Sequence, residues 1–492
     1  MSLTTKLFRR YLEHRLRRID YFRRHPIEVQ QAQLETRLKQ GRKTAFGREF
    51  GLDRVHTSEE FSRAVPAFDY DSFKHYVERM LAGEKSVTIP GRVDRFARSS
   101  GTTSDRSKYV PISRHSILWN HTLGMRDVVG LYLDAFPGSK LLEGRTLTLG
   151  GCCFQEGENL VGDLSAILLH DTARLGGSMR APKLETALIT NFDEKITHIA
   201  DECASQHITA FAGVPSWNLE LMRRVLERTG KGNLLEVWPD MELFLYGGVE
   251  FAPYRQTYQE LIPSADMHYW ETYNASEGFF AAADDPSRED MLLMLDYGTY
   301  YEFREGDRIV PLEGVEVGKT YAILITSDNG LWRYELGDTV TFTSTDPYRI
   351  RFAGRTRQFI NAFGEELIVD NADRALVEAC RKTGAVVTEY SVAPCYMSIE
   401  SRGAHEWFVE FETEPDSVEH FAEELDKALR AVNSDYDAKR RSTIERQHLT
   451  LVERGFFIEW LQLRRKNKVP RLVNDRRIAD DLHEVLREKS KK

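Results

Sequence analysis

Several things are scarce in this sequence, and each scarcity excludes something. There are five cysteines in 492 residues. Cys152 and Cys153 are adjacent, Cys203, Cys380 and Cys395 are scattered, and no CxxC pair occurs. A disulfide framework and a cysteine metal site are therefore not expected, and a reducing, cytoplasmic compartment is. No apolar run reaches the ~18 residues that a membrane span needs. Met1 to Tyr21 lacks the apolar stretch of a secretory signal. Lys plus Arg number 67 against 76 for Asp plus Glu, a net charge of -9. That balance argues against broad nucleic-acid affinity, which needs a positive field. GxSxG, HExxH, GxGxxG and HxxxD are all missing, so serine hydrolases, zincins, dinucleotide-binding enzymes and acyltransferases have no motif support.

What is present is an ordinary globular composition, 41% apolar and 29% charged, in a chain long enough for a large domain and a smaller one. Met1 to Gln40 is Arg-rich, with Leu7, Tyr11, Leu12, Leu16, Ile19 and Phe22 at helical spacing. It reads as one or two amphipathic helices with a solvated basic face, packed on the main domain. From Arg92 to Phe352 short apolar runs alternate with helical patterns. Strands are expected at Thr146–Gly150, Ile208–Ala212, Leu243–Tyr246, His268–Tyr273, Met291–Leu295 and Tyr321–Thr326. Helices are expected at Ser216–Thr229 and Pro253–Leu261. The alternation predicts an α/β fold with mainly parallel pairing, and a β-rich subregion at Tyr300–Phe303, Thr339–Phe342 and Tyr348–Phe352. Near Gly354 the character changes to a small α+β unit, so the expected domains are 1–352 and 353–492.

Four segments carry candidate chemistry, each a weak signal alone. Arg98 to Lys108 is a Ser/Thr-rich loop around Gly101; its N–H groups and hydroxyls suit phosphate oxygens, although it is not a Walker A loop. Tyr269 to Gly278 ends a strand, where open α/β sheets bind ligands. Glu277 within it suits Mg²⁺, which takes one or two carboxylates plus phosphate oxygens and water. In Trp332 to Asp338, a carboxylate after a tight Gly turn suits a ribose diol. Arg464 to Arg471 is a basic run in which Pro470 favours a rigid loop, able to deliver a lysine by domain movement.

In this order the segments resemble the acyl-adenylate-forming superfamily, and more closely the Gretchen Hagen family of acyl-acid-amido synthetases in its bacterial form. Ser-Ser-Gly-Thr-Thr at 99–103 is similar to the family's phosphate loop, Tyr273 to Glu277 to its Y-x-x-S-E motif, and Tyr334 to Asp338 to its Y-x-x-G-D motif. Ala212-Gly-Val-Pro-Ser-Trp217, Tyr246-Gly-Gly-Val-Glu250, Ile360-Asn-Ala-Phe-Gly-Glu-Glu366 and Lys468-Val-Pro-Arg471 extend the likeness over nearly the whole chain. The sequence departs from the pattern at Asp105, at Arg357, and at Glu335, where many relatives carry Arg; here Arg333 precedes the Tyr instead.

The resemblance implies a large N-terminal adenylate-forming domain with mixed sheets and a β-rich subregion, and a small mobile α+β C-terminal domain. It implies ATP-dependent adenylation of a small carboxylic acid, then transfer of the acyl group to an amine, usually an amino acid. ATP would be held by Ser99, Ser100, Gly101, Thr102, Thr103, Gly248, Val249, Glu250, Phe251, Tyr273, Ser276, Asp338 and Arg355. Within that set, Asp338 with Arg355 would take the ribose, residues 247–251 would line the adenine pocket, and Tyr273 would stack near the base. Glu277 would hold Mg²⁺. Lys468 would be the mobile catalytic lysine, and Val214 and Trp217 would contact the acyl group. A monomer without nucleic-acid or membrane partners is expected. An acyl-CoA ligase using the same first step, or a catalytically silent nucleotide- or acyl-binding sensor, are the competing readings. CoA set against amino acids in an assay separates the first.

Overall fold

Runs of β-branched and aromatic residues form the strands of a large sheet in the computed structural model, which describes residues 3–99, 108–172, 179–248, 251–355, 358–398, 401–464 and 469–489. Among the described residues this sheet has twelve strands. Five are mutually parallel, in the order Arg180–Ala181, Arg145–Thr148, Ile208–Gly213, Leu243–Tyr246 and His268–Ala275. Helices such as Phe192–Cys203 and Pro215–Thr229 make the crossovers, as parallel pairing requires.

From His268–Ala275 onward every pairing is antiparallel. The expectation of mainly parallel pairing is corrected here. The strands Met291–Leu293, Thr299–Glu305, Arg308–Pro311, Thr320–Ser327, Tyr334–Thr345 and Tyr348–Arg355 include neighbours joined by short turns. Gly306 takes a φ of 58° in one of these turns and a cis Asp346–Pro347 bond forms another. Two-residue turns permit only antiparallel neighbours. His268–Ala275 is thus the seam between the two halves. It presents its carboxyl end where the parallel strands end.

The N-terminal helices Leu3–Arg24 and Pro26–Gly41 pack as expected, burying Leu12, Ile19, Phe22, Leu34 and Leu38. Arg15 fixes the first of them through Asp127 at 2.6 Å and Asp296 at 3.2 Å. Among the described residues no helix is long and apolar enough to cross a membrane.

The C-terminal part is built on a three-stranded sheet. Val386–Cys395 lies antiparallel to Ala404–Thr413, which runs parallel to His448–Val452. Helices Val369–Thr383 and Val418–Val432 cover it. One apolar cluster runs from Phe211, Phe244 and Tyr258 of the parallel half through Ile360 and Phe363 to Trp407 and Leu425. The C-terminal part is thereby seated over the parallel half.

Candidate functional site

The seam strand places two of the expected residues. Ser276 and Glu277 form the turn between His268–Ala275 and Gly278–Ala282, closed by the pairing of Ala275 with Gly278. Two buried asparagines hold this turn. Asn329 Nδ2 donates to the Glu277 carbonyl at 3.1 Å, and Asn120 Oδ1 accepts from the Phe279 N–H at 2.6 Å. Asn329 in turn accepts from the Ser113 N–H at 2.8 Å. Sequence reasoning missed both. Asn329 sits in an Asp-Asn-Gly turn signal, whereas Asn120 lies inside a short π-helical stretch, Ile117–His121, with no local mark.

Glu277 is half-buried. Burial pushes its carboxyl up to about 7, and Asp338 adds to the rise; its own N–H, Lys108 and Arg355 oppose it. A partly desolvated carboxylate that feels a second one favours a cation.

Asp338 is buried and committed on both oxygens. Oδ2 accepts from the Tyr273 hydroxyl at 2.8 Å, and Oδ1 from Arg355 Nε at 2.9 Å. Cross-strand pairing of Asp338 with Arg355 sets the second contact; Gly337, with a φ of 83°, makes no tight turn as the sequence suggested but lies within the strand Tyr334–Thr345, where its pairing with Thr320–Ser327 shifts register. Arg355 also reaches Glu366 at 3.4 Å and lies 4.9 Å over the Phe359 ring. Tyr273, Glu277, Asp338 and Arg355 therefore meet at one place. The Tyr273 ring packs against Phe280 and Phe352, with centroids 5.2 and 5.7 Å away.

The neighbouring strand Leu243–Tyr246 ends in Gly247 and Gly248. A Cβ at Gly247 would lie 2.3 Å from the Thr272 carbonyl oxygen, and Gly248 has a φ of 83°. Only glycine fits both demands. The Gly248 carbonyl accepts from Asn361 Nδ2 at 3.4 Å. Phe251 is 2% exposed, inside an aromatic cluster with Tyr246 and Tyr269, so it supports this region by packing. Val214 precedes the helix Pro215–Thr229, and Trp217 lies in its first turn. The Trp217 indole donates to the Phe363 carbonyl at 3.3 Å and carries the Lys439 ammonium 3.8 Å above its ring.

The departures in the third motif have structural uses away from this place. Arg333 pairs with Glu302 at 2.8 and 2.9 Å in the core and donates to the Ser62 and Val65 carbonyls. Glu335 pairs with Arg304 at 2.5 Å. Ser100, Gly101, Thr102, Thr103, Val249, Glu250 and Lys468 lie outside the described residues, as do Asp105, Arg357 and the side chain of Ser99.

Comparison with known proteins follows the same geography. The model of the GH3 family N-terminal domain matches residues 15–156 and 155–267, that of the central domain 292–355, and that of the C-terminal domain 370–477. The indole-3-acetic acid-amido synthetase GH3.4 of Arabidopsis thaliana is 22% identical over 457 residues, 76% of this chain and 75% of that protein. The solved GH3.15 acyl acid amido synthetase in complex with 2,4-DB shares the fold with a TM-score of 0.59 at 16% identity, over 93% of each chain. A 2-hydroxyisobutyryl-CoA ligase in complex with 2-HIB-AMP and CoA, in the thioesterification state, gives 0.61 at 16%, over 94% of this chain and 92% of the other.

Proposed function

We infer the function from the premise that this chain belongs to the GH3 family. It is an acyl-acid-amido synthetase, an adenylate-forming ligase that joins a carboxylic acid to an amino acid. In the first half-reaction a carboxylate oxygen attacks the α-phosphorus of ATP. The bond from that phosphorus to the bridging oxygen breaks, and pyrophosphate leaves. In the second, the amine lone pair attacks the acyl carbon, the bond from that carbon to the AMP oxygen breaks, and AMP leaves as the nitrogen loses a proton. Neither step needs a covalent enzyme intermediate, so alignment and preorganised charge do the work.

The residue assignments are our proposal, and the meeting of Tyr273, Glu277, Asp338 and Arg355 beyond the seam strand supports them. Asp338, pre-aimed by Tyr273 and Arg355, accepts the ribose hydroxyls with its remaining lone pairs. Gly247 and Gly248 let the adenine approach the backbone. Residues 99–103 cradle the phosphates, and Lys468 meets the charge that develops as the anhydride forms.

The residues at Glu277 fit a magnesium ion. Among the described residues its carboxyl makes no ion pair and no hydrogen bond to another residue's side chain, and no cluster of three or more His, Cys, Asp or Glu is present. Mg²⁺ commonly takes one or two carboxylates, completing its shell with phosphate oxygens and water. Glu277 would hold it, and the ion would supply charge neutralisation along the phosphates.

The likeness to a CoA ligase concerns the fold and leaves the acceptor to the family, whose relatives are amido synthetases. Pyrophosphate exchange dependent on a carboxylic acid, followed by amide formation dependent on an amino acid and not on CoA, tests the reading.

A further inference from the structure

Most buried cations in this protein have a visible partner. Arg15 holds Asp127 and Asp296, Arg349 holds Asp284 and Asp290, Arg333 holds Glu302, and Lys195 donates to the Gly150 and Gly151 carbonyls at 2.9 and 2.6 Å. Lys439 does not follow this rule. It is 9% exposed, on the helix Ser434–Ser442 of the C-terminal part. Among the described residues its ammonium makes no ion pair within 4 Å and no hydrogen bond. Its contact is the Trp217 ring, 3.8 Å below. A Cβ at Gly364, where φ is 87°, would lie 3.3 Å from Lys439 Cε and 3.6 Å from Trp217 Nε1, so the loop backbone closes the third side.

Of the carboxylates that act on its charge, Asp435 in the first turn of the same helix is the strongest, and Asp163 and Glu365 follow. Glu365 holds His405 Nε2 at 2.8 Å and the Phe363 N–H at 2.7 Å. Asp163 accepts from the Cys152 N–H at 2.8 Å. Burial pulls the Lys439 pKa below that of an ordinary lysine, and the charges of Asp435, Asp163 and Glu365 oppose it, in that order. The loop that Lys439 packs against at Gly364 carries Glu366, which Arg355 reaches at 3.4 Å. The Cys152 thiol, beyond the strand end at Thr148, feels the charges of Lys195, Arg98 and Lys439 together. Arg98 leads directly into the Ser/Thr-rich loop.

We propose that Lys439, seated on Trp217 by the C-terminal part, is the residue that recognises the carboxylate of the acceptor amino acid. This rests on the synthetase reading above. A lone ammonium on an aromatic floor neutralises one charge, which suits a carboxylate better than a chain of phosphates. The carboxylate of the acid is consumed in the first half-reaction. That of the acceptor survives to the product and needs a partner of its own.

The test uses the full chain with ATP, Mg²⁺ and the best acid from a panel of aryl and indole carboxylates. The best of the twenty amino acids is compared with its own α-carboxamide as acceptor. The wild type is expected to favour the amino acid by about 10- to 100-fold in kcat/KM, the value of one charge-assisted contact. Lys439→Met is expected to erase that preference by raising the KM for the amino acid and not for the carboxamide, and Lys439→Arg to restore part of it. A wild type that uses both acceptors equally overturns the proposal, whether or not the Met variant folds. Equal losses on both acceptors overturn it too, because they mark a merely structural lysine. A rise in the KM for the acid in pyrophosphate exchange assigns the carboxylate to the acid and overturns the acceptor role. Absence of acid-dependent exchange in the wild type defeats the synthetase reading itself, and the proposal with it.

Discussion

The Tyr273 hydroxyl donates to Asp338 Oδ2 across 2.8 Å, tying the seam strand to a strand of the antiparallel half. Arg355 holds the other oxygen, so the carboxylate is aimed before any nucleotide arrives. Preorganisation of this kind is lost when one support is cut. Tyr273→Phe leaves a buried acceptor unsatisfied, worth about 1–3 kcal/mol. The KM for ATP in acid-dependent pyrophosphate exchange should rise roughly tenfold for each 1.4 kcal/mol realised there. Asp338→Asn should raise it further, and an unchanged KM in both would remove Asp338 from the nucleotide site.

Glu277→Gln should abolish exchange while the protein keeps its melting temperature. The turn at 276–277 is held through backbone groups by Asn120 and Asn329, not by the Glu277 carboxyl. We expect a loss of at least about 100-fold, the scale seen when a preorganised electrostatic contact is removed. Raised Mg²⁺ should not restore it. Retained turnover would take the metal role from this residue.

The pair of Arg333 and Glu302 is a stability element. Both are buried, at 4% and 5% exposure. Glu302→Ala strands a buried guanidinium, and breaking such a pair costs about 3–5 kcal/mol. Thermal unfolding should begin at a clearly lower temperature, with no rise in the KM for ATP. A raised KM would place Arg333 in the nucleotide site, as the third motif's pattern in relatives suggests.

His121 should make the protein acid-sensitive. It is fully enclosed, its Nε2 has no hydrogen-bond partner among the described residues, and burial lowers its pKa to about 4. The unfolded chain holds this proton up to about 6.5 and the folded one releases it, so its contribution is complete above about pH 6.5 and fades as pH falls toward 4. The full span is worth about 3 kcal/mol. Urea midpoints at pH 7 and pH 4.5 check it; His121→Gln should flatten the slope, and an equal slope in both proteins would assign acid sensitivity elsewhere.

Four of the five parallel strands were legible because each holds a short apolar run between helical patterns; the two-residue Arg180–Ala181 has no such run and was missed. Leu243–Tyr246 matches to the residue, and Ile208–Gly213 within one. The antiparallel half was misjudged because fully buried runs such as Met291–Leu293 look alike in either direction. Only the turns at Gly306 and Asp346–Pro347 reveal which it is. Glu277 stood out because it follows a strand, and Asp338 because it follows a Gly, each in an ordered motif. Lys439 did not. It sits in a charged helix, Ser434–Ser442, whose pattern reads as a solvated face. Its burial comes from a partner, Trp217, 222 positions away along the chain.

The measurement that tests the central claim most directly is pyrophosphate exchange with ATP and Mg²⁺ over a panel of aryl and indole carboxylic acids, followed by product analysis with the twenty amino acids and with CoA. The account predicts exchange that depends on one class of acid, and an amide that forms with an amino acid while CoA adds nothing. Exchange followed by a thioester with CoA, or no exchange with any acid while ATP still binds, would contradict it.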